Sequence, residues 1–515
     1  MAAIGSRRWW ALGAVMLAVL AVGMDLTVLS VALPTLSNEL RASESDLQWF
    51  SSSYSLVLAA AMLPAGLLGD RYGRKKVMLL SLAGFAVGSL ACAYSHSAAE
   101  FIWARILLGL AGAGLVVMAV SALTVLFSQQ ERPKAVGIWA AANLIALPIG
   151  PILGGWLLSH YWWGWVFLMN APVALVGFVA VAALVPESSS EFRPSVDKVG
   201  VLSSSAGLVA LTYGFIEAGR HGWGSADVLA SLLAGLALIV AFVYWEHVLG
   251  RLPTRQPLVD LALFRSAAFT WGAILFAVLT LALVGLLFTL PQYYQAVRGI
   301  TAEGSGIRLL PLLGGVLVGL LPAQRLAKRI GAKLAVASGF AVLAVGLGLG
   351  AATTAASGEG FNAIWMAIAG VGTGMTMATA ASTALGELSE ERAGVGSGVV
   401  QAIKNTGAPF GSAILGSALT SAYVSHLDLV GLAPAAARAA RQSVFGGVAV
   451  AHVLGSAPLL ASVKAAFVHG MDTALIVSVG FSLVGSVLAL LFLPSGVGPL
   501  AEPQPEVTGA ESIAI

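Results

Sequence analysis

The sequence predicts an all-α polytopic membrane protein with 14 transmembrane helices, arranged as two six-helix bundles plus two inserted helices. Three observations predict it: the composition, a series of apolar runs of bilayer length, and a one-sided distribution of lysine and arginine. Of 515 residues, 58% are hydrophobic and only 10% charged, with a mean hydropathy of +0.90. Soluble domains carry roughly 25% charged residues, so an ordinary water-facing globule is excluded. The net charge of +3 is too small to point to nucleic acid. The single cysteine, Cys92, excludes an intrachain disulfide and a multi-cysteine metal site.

Apolar runs long enough to span a bilayer, about 20 residues each, fall at 10–33, 48–68, 77–95, 102–126, 135–158 and 166–185. Two follow at 199–217 and 227–247, and six more at 269–293, 304–324, 332–351, 361–385, 395–424 and 473–493. Lipid offers no partner to backbone N–H and C=O groups, so such runs must be helices. The first run follows Arg7 and Arg8 but is longer than a signal-peptide core, and it reads as a retained span.

Placing the N-terminus in the cytoplasm puts 18 lysines and arginines on the cytoplasmic side and 6 on the outer side, with Arg105, Arg308 and Lys404 in or at the edge of spans. This is the bias expected of a plasma-membrane protein with both termini inside. The halves echo each other: Gly69-Asp70-Arg71-Tyr72-Gly73-Arg74-Lys75 follows the second span, and Ala327-Lys328-Arg329-Ile330-Gly331-Ala332-Lys333 follows the second span of the last group. The expected division is therefore 1–198 for the N-terminal bundle, 199–268 for the inserted pair and 269–494 for the C-terminal bundle. The last includes an outer loop at 425–472, and 495–515 forms a disordered cytoplasmic tail. Within that loop, Pro434 to Ala440 and Pro458 to Phe467 read either as amphipathic surface helices or as a flexible connector. Glu217, Glu246 and Glu387 sit at span ends, where solvated or interfacial acids are expected.

Several stretches together resemble the major facilitator superfamily, in particular its fourteen-span drug:proton antiporters, from about residue 10 to 494. They are Gly66 to Lys75; Met24-Asp25-Leu26-Thr27 through Pro34; Arg105 with Gly109, Gly112 and Gly114; Gly150-Pro151-Ile152-Leu153-Gly154-Gly155; Trp163 to Pro172; and Pro257 to Arg265. The resemblance implies the major facilitator fold. It also implies a conformational latch at Gly66, Asp70, Arg71, Gly73 and Arg74, and an antiporter-type motif at Gly150, Pro151, Gly154 and Gly155. In the latch, Asp70 is expected to accept hydrogen bonds from a neighbouring helix start, and Arg71 and Arg74 to pair with acids across the seam between halves. The sequence departs from the family at Leu108, Ala146 and Gly164, where a glutamine, a glycine and an arginine are usual.

An ionisable group inside the bilayer costs about 2.5–3.5 kcal/mol on insertion scales and is functional by default. Asp25 is the clearest case, and with Arg105 it is the candidate proton-coupling site; a purely structural ion pair is the alternative. Gln401, Lys404 and Asn405 share a helical face and are expected to line a central cavity. Trp49, Tyr54, Asn143, Asn170, Gln292, Tyr293 and Gln295 are further cavity candidates. Exporters of dicationic compounds that resemble this chain carry acids where it has Ser52, Gln401 and Asn405, which speaks against such substrates.

The expected activity is proton-coupled export of small amphipathic drugs or antibiotics by alternating access, with cationic compounds within its range. Export of an endogenous lipid or metabolite is the rival, and a membrane-embedded enzyme a remote one. No HExxH or Walker sequence is present, and Gly370-Val371-Gly372-Thr373-Gly374 lies inside an apolar run, where it packs helices. No cofactor is expected beyond the proton gradient. The expected partners are a small-molecule substrate and membrane lipid, not nucleic acid, and a monomer suffices.

Overall fold

The computed structural model describes residues 2–127, 131–189, 197–252, 257–386 and 390–494. Among them there is helix and no strand. The chain runs through α1 (Ala2–Glu39), α2 (Glu44–Tyr72), α3 (Arg74–Ala93), α4 (Ala98–Leu126) and α5 (Arg132–His160), then the short α6 (Trp165–Leu168) and α7 (Asn170–Leu184). The pair α8 (Lys198–His221) and α9 (Ala226–Leu249) follows. The remainder is α10 (Ala267–Gln292), α11 (Ala302–Arg308), α12 (Leu310–Gly350), α13 (Glu359–Gly386), α14 (Glu390–His426), α15 (Pro434–Gln442), α16 (Val444–Val453) and α17 (Ala457–Phe492). A 3-10 turn at Leu261–Arg265 leads into α10, and a π turn at Tyr293–Val297 leaves it.

All fourteen apolar runs fall on helix. Eleven described helical stretches are long and apolar enough to cross a membrane, and one of them, Ala302–Gly350, contains two of the runs. The break between those two runs is Gly331, whose φ of 85° interrupts α12. Its counterpart in the sequence echo, Gly73, turns α2 into α3 with a φ of 110°. Both angles lie in the region that a Cβ disfavours, so the repeat is preserved as geometry at the one position where each loop needs glycine.

Two apolar cores form. One gathers α1 to α7 around buried Phe50, Phe85, Phe101 and Phe167. The other runs from Leu258 to Leu493 around Phe269, Phe340, Trp365 and Phe467. The inserted helices pack against each other, and α8 rests on α2 and α14, with Phe215 edge-on to Phe410 at 5.6 Å. The outer face of α9 exposes Leu233, Val240 and Tyr244, a surface suited to lipid and not to water.

Hydrogen bonds between the two halves gather toward the end of the helices opposite the Gly73 turn, while nearer that turn the Asn405 Nδ2 reaches the Met62 sulfur at 3.0 Å. Ser52 and Ser412 meet at 2.7 Å, and the Gln48 Nε2 donates to Thr420 Oγ1 at 3.3 Å. The Gln292 Nε2 donates to the buried Glu44 carboxylate at 3.3 Å, and the Gln295 Nε2 to the Val31 carbonyl at 3.0 Å. Backbone closeness adds to this seal: a Cβ on Gly155 of α5 would lie 2.7 Å from the Ala302 carbonyl of α11.

Three expectations are corrected. Pro458 to Phe467 is not a separate surface helix; it is the start of α17, whose 36 residues rise about 54 Å at 1.5 Å per residue. Nor is the loop at 425–472 a flexible connector, since α15 and α16 fill it and the Tyr423 hydroxyl donates to the Ala440 carbonyl at 2.8 Å. Glu246 is not solvated: it is buried, and its Oε2 accepts the Val259 N–H at 2.9 Å, tying α9 to the chain entering α10. Glu217 is also buried, beside Arg220 and His221. Glu387 and the tail lie outside the described residues.

The glycine-rich run at 370–374 packs helices as expected. A methyl on Gly370 would overlap the Leu312 carbonyl, and one on Gly374 the Val316 carbonyl, so α12 and α13 touch backbone to backbone. Gly370→Ala is expected to destabilise the purified protein by about 1–3 kcal/mol through overpacking. Gly314→Ala, whose new methyl enters open space, is expected to leave the melting temperature unchanged. Equal melting curves for both variants would refute this account of the contact.

Candidate functional site

Asp25 lies in the middle of α1 and is fully buried. An isolated carboxylate there would be prohibitive, and the fold supplies two partners. Arg105, 1% exposed, enters from the second turn of α4 and donates through Nη1 to Asp25 Oδ2 at 2.5 Å. Asn170, the first residue of α7, donates through Nδ2 to Oδ1 at 3.2 Å. The guanidinium is itself held from α2: its Nε donates to the Phe50 carbonyl at 3.2 Å, and its Cζ sits 4.4 Å from the centre of the Tyr54 ring. Four helices therefore converge on one ion pair.

The small residues around the site make that convergence possible. Gly109 and Gly112, one and two turns beyond Arg105, lie against Tyr54, and a Cβ on Gly112 would come within 3.0 Å of the Tyr54 hydroxyl. Gly150 of α5 lies against α1 one turn from Asp25, where a Cβ would come within 2.9 Å of the Met24 carbonyl. Gly154 lies against Val28 a turn further on. Pro151 turns its carbonyl toward Gly306 of α11, and with Gly155 it joins the halves. The predicted motif thus packs α5 on both α1 and α11.

Beside the ion pair lies a cavity of about 150 Å³ between the two bundles. Thr27 and Ser30 line it from α1, and Ser51 and Ser55 from α2. Arg105 contributes from α4; Phe276, Thr280 and Phe288 from α10; Thr373 and Met377 from α13; and Lys404 and Asn405 from α14. Asp25 does not reach the lining, because Arg105 stands in front of it.

Two of the ten residues expected in the cavity, Lys404 and Asn405, are found there. Gln401 is not: α14 lines the cavity from Lys404 to Ala408, and Gln401 lies about a turn beyond. Tyr54 is consumed beneath Arg105, and Asn170 on Asp25. Gln292 and Gln295 belong to the seal between halves, and the Tyr293 hydroxyl donates to the Thr354 carbonyl at 2.8 Å within its own bundle. Trp49 is partly buried away from the lining. The Asn143 side chain is not among those the structure describes. The missed lining residues left a faint signal, hydroxyls spaced three or four apart on one helix face, as at Thr27 and Ser30 or Ser51 and Ser55.

The latch residues are also rearranged. Asp70 accepts from Arg74 Nε at 3.0 Å and Nη2 at 2.8 Å, the side chain of the residue that opens α3, so this arginine is paired within the loop and not across the seam. Arg71 lies over Tyr72, at 5.5 Å. The loop is pinned to the exit of α7, where the Arg74 N–H donates to the Ser188 carbonyl at 2.8 Å and the Lys75 N–H to Glu187 Oε1 at 3.1 Å. Gly73 is required twice, by its φ and because a Cβ would lie 2.7 Å from Glu187 Oε1. The close approach in this stretch is at Gly69, which faces Met118; Gly66 makes only ordinary contact with Val117.

Two helical bundles, sealed together at one end around a cavity with a buried ion pair beside it, define a multi-pass membrane carrier. The match agrees: residues 15–412 fit the model of the Major Facilitator Superfamily, and the chain belongs to that family. It is 32% identical over 497 residues to the tetracenomycin C resistance and export protein of Streptomyces glaucescens, covering 94% of this chain and 91% of the relative. It is 31% identical to the multidrug efflux pump LfrA of Mycolicibacterium smegmatis, covering 95% and 97%. It is 30% identical to the methyl viologen resistance protein SmvA of Salmonella typhimurium, covering 94% and 97%. The fold also matches the inward-facing, unoccupied crystal structure of a bacterial homologue of the human lysosomal transporter Spinster. That match has a TM-score of 0.68 at 16% identity, over 96% of this chain and 99% of that one.

The ion pair makes a direct prediction. Asp25→Ala leaves a buried guanidinium uncompensated and is expected to cost about 3–5 kcal/mol of stability, whereas Asp25→Ala with Arg105→Met is expected to recover most of it. Unfolding of the purified variants measures both. Strictly additive losses would show that the two charges do not depend on each other.

Proposed function

We propose that the chain exports small amphipathic drugs or antibiotics across the plasma membrane in exchange for protons, with both termini in the cytoplasm. The observation that carries this reading is the Asp25–Arg105 pair, whose arginine forms part of the cavity wall while its carboxylate stays behind. The family and the names of its relatives supply the class; the pair supplies a means of coupling.

The coupling works through Arg105. With Asp25 ionised, its charge holds the guanidinium back from the cavity. A proton on Asp25 removes that attraction and frees Arg105 to shift, which alters the cavity wall and the packing of α1, α2, α4 and α7 together. Substrate and proton therefore compete through the position of one side chain, without sharing a carboxylate. The seal opposite the Gly73 turn supports reading this state as the one that takes substrate from the cytoplasm or inner leaflet. Closure at the Gly73 end then brings Arg71 and the Asp70–Arg74 pair to the opposing bundle. The cavity is smaller than the ~300–1,000 Å³ of small-molecule sites, so loading requires the bundles to part at that end. No cofactor enters this scheme: the driving force is the proton gradient, and a single chain holds the whole path.

The test is dye or antibiotic accumulation in cells expressing wild type or Asp25→Asn, with and without an uncoupler. Wild type is expected to lower accumulation severalfold, the uncoupler to abolish the difference, and Asp25→Asn to behave as uncoupled. Uncoupler-sensitive efflux that persists unchanged in Asp25→Asn would remove Asp25 from the mechanism. Failure to exclude any amphipathic compound would favour an endogenous lipid or metabolite as the cargo.

A further inference from the structure

The cavity carries charge of one sign. Its lining holds two ionisable side chains, Arg105 and Lys404, and no carboxylate. The charge of Arg105 is met by Asp25 behind it. That of Lys404 is not, since no carboxylate among the described residues forms an ion pair with it. The Lys404 Nζ instead lies 5.4 Å from the centre of the Phe276 ring, and Asn405 beside it is turned to the Met62 sulfur at 3.0 Å. An ammonium without an anion is costly inside a membrane. One that faces a ligand cavity is positioned to receive its counter-charge from the ligand.

We propose that the cavity selects acidic aromatic amphiphiles: the anionic group of the substrate pairs with Lys404, and its flat ring lies against Phe276 and Phe288. This rests on the export reading above and narrows its substrate class. The same lining works against cations, because Asp25 is spent on Arg105 and an entering cation meets the unpaired ammonium of Lys404 with no acid in the lining to receive it. The charge balance of the cycle follows. An anion leaving as a proton enters moves two positive-charge equivalents inward, so the membrane potential and the pH gradient both drive export.

The experiment uses respiring inside-out vesicles bearing the full chain and two dyes with the same tricyclic core, fluorescein as anion and rhodamine 123 as cation. Fluorescein uptake is expected to be uncoupler-sensitive, slowed by collapse of the membrane potential alone, and clearly faster than that of rhodamine 123. Lys404→Gln is expected to reduce fluorescein uptake, and fluorescein binding to the purified protein, by about tenfold, the worth of one charge-assisted hydrogen bond. Lys404→Arg is expected to retain most of both. Uncoupler-sensitive transport of rhodamine 123 at an equal or greater rate would overturn the inference and leave the export reading standing. So would fluorescein uptake and affinity unchanged in Lys404→Gln. Fluorescein that binds through Lys404 but is not transported would support the inference while removing the export reading. If Lys404→Gln fails to fold, the wild-type dye preference and Lys404→Arg still decide. Neither binding nor transport of fluorescein by wild type would overturn the proposal.

Discussion

The requirement that a charge in the membrane interior find its partner inside the protein organises the N-terminal half. Asp25 and Arg105 are distant in sequence and lie on different helices, and neither is tolerable alone. Their pairing sets the depth of α4 against α1. Asn170 then sets where α7 begins, and the Phe50 carbonyl with the Tyr54 ring sets the register of α2. Gly109, Gly112 and Gly150 are the steric condition for this arrangement, because they let the bearing helices close to the distance that short polar side chains can bridge. Beyond the pair, Phe50, Phe101 and Phe167 pack edge to face and keep water from it.

The C-terminal half meets the same bilayer with a different solution. Among the described residues it has no buried counterpart to the ion pair, the Arg308–Glu359 bridge being exposed, and its helices are held by backbone contact along glycine seams, most extensively between α12 and α13. That asymmetry assigns different work to the two bundles. One carries the Asp25–Arg105 ion pair locked among four helices, and the other carries the unneutralised Lys404 on α14 with the apolar floor of the cavity. The inserted pair α8–α9 touches neither group; it leans on the seam through α8 and gives α9 to the lipid.

The fold was legible in the sequence because its cause is one-dimensional. Apolar length sets each span, and Gly73 and Gly331 mark turns that only a residue without a Cβ makes easily. Asp25 and Arg105 were legible for a related reason: a charge in an apolar run is visible without knowing its neighbours. The cavity was not legible, since its walls depend on which face of each helix turns inward. A leucine facing lipid and one facing substrate read alike in an apolar run. Polar residues misled for the opposite reason, as Gln292, Gln295 and Asn170 were spent on the hydrogen bonds that closing the structure requires. In the latch loop Arg74 has an acid four residues away, and that local pair forms without waiting for the other bundle.

The helical cap formed by α15, α16 and the first turns of α17 has a practical consequence. It is joined to α14 through Tyr423 and to α17 by chain continuity, and α16 also meets α1 of the N-terminal half. A protein otherwise dominated by lipid-facing surface thereby gains a stiff handle projecting from the bilayer, with Arg438 and Arg441 on its first helix. An antibody fragment gripping that handle would serve as a fiducial for imaging, without touching the path along which the substrate moves.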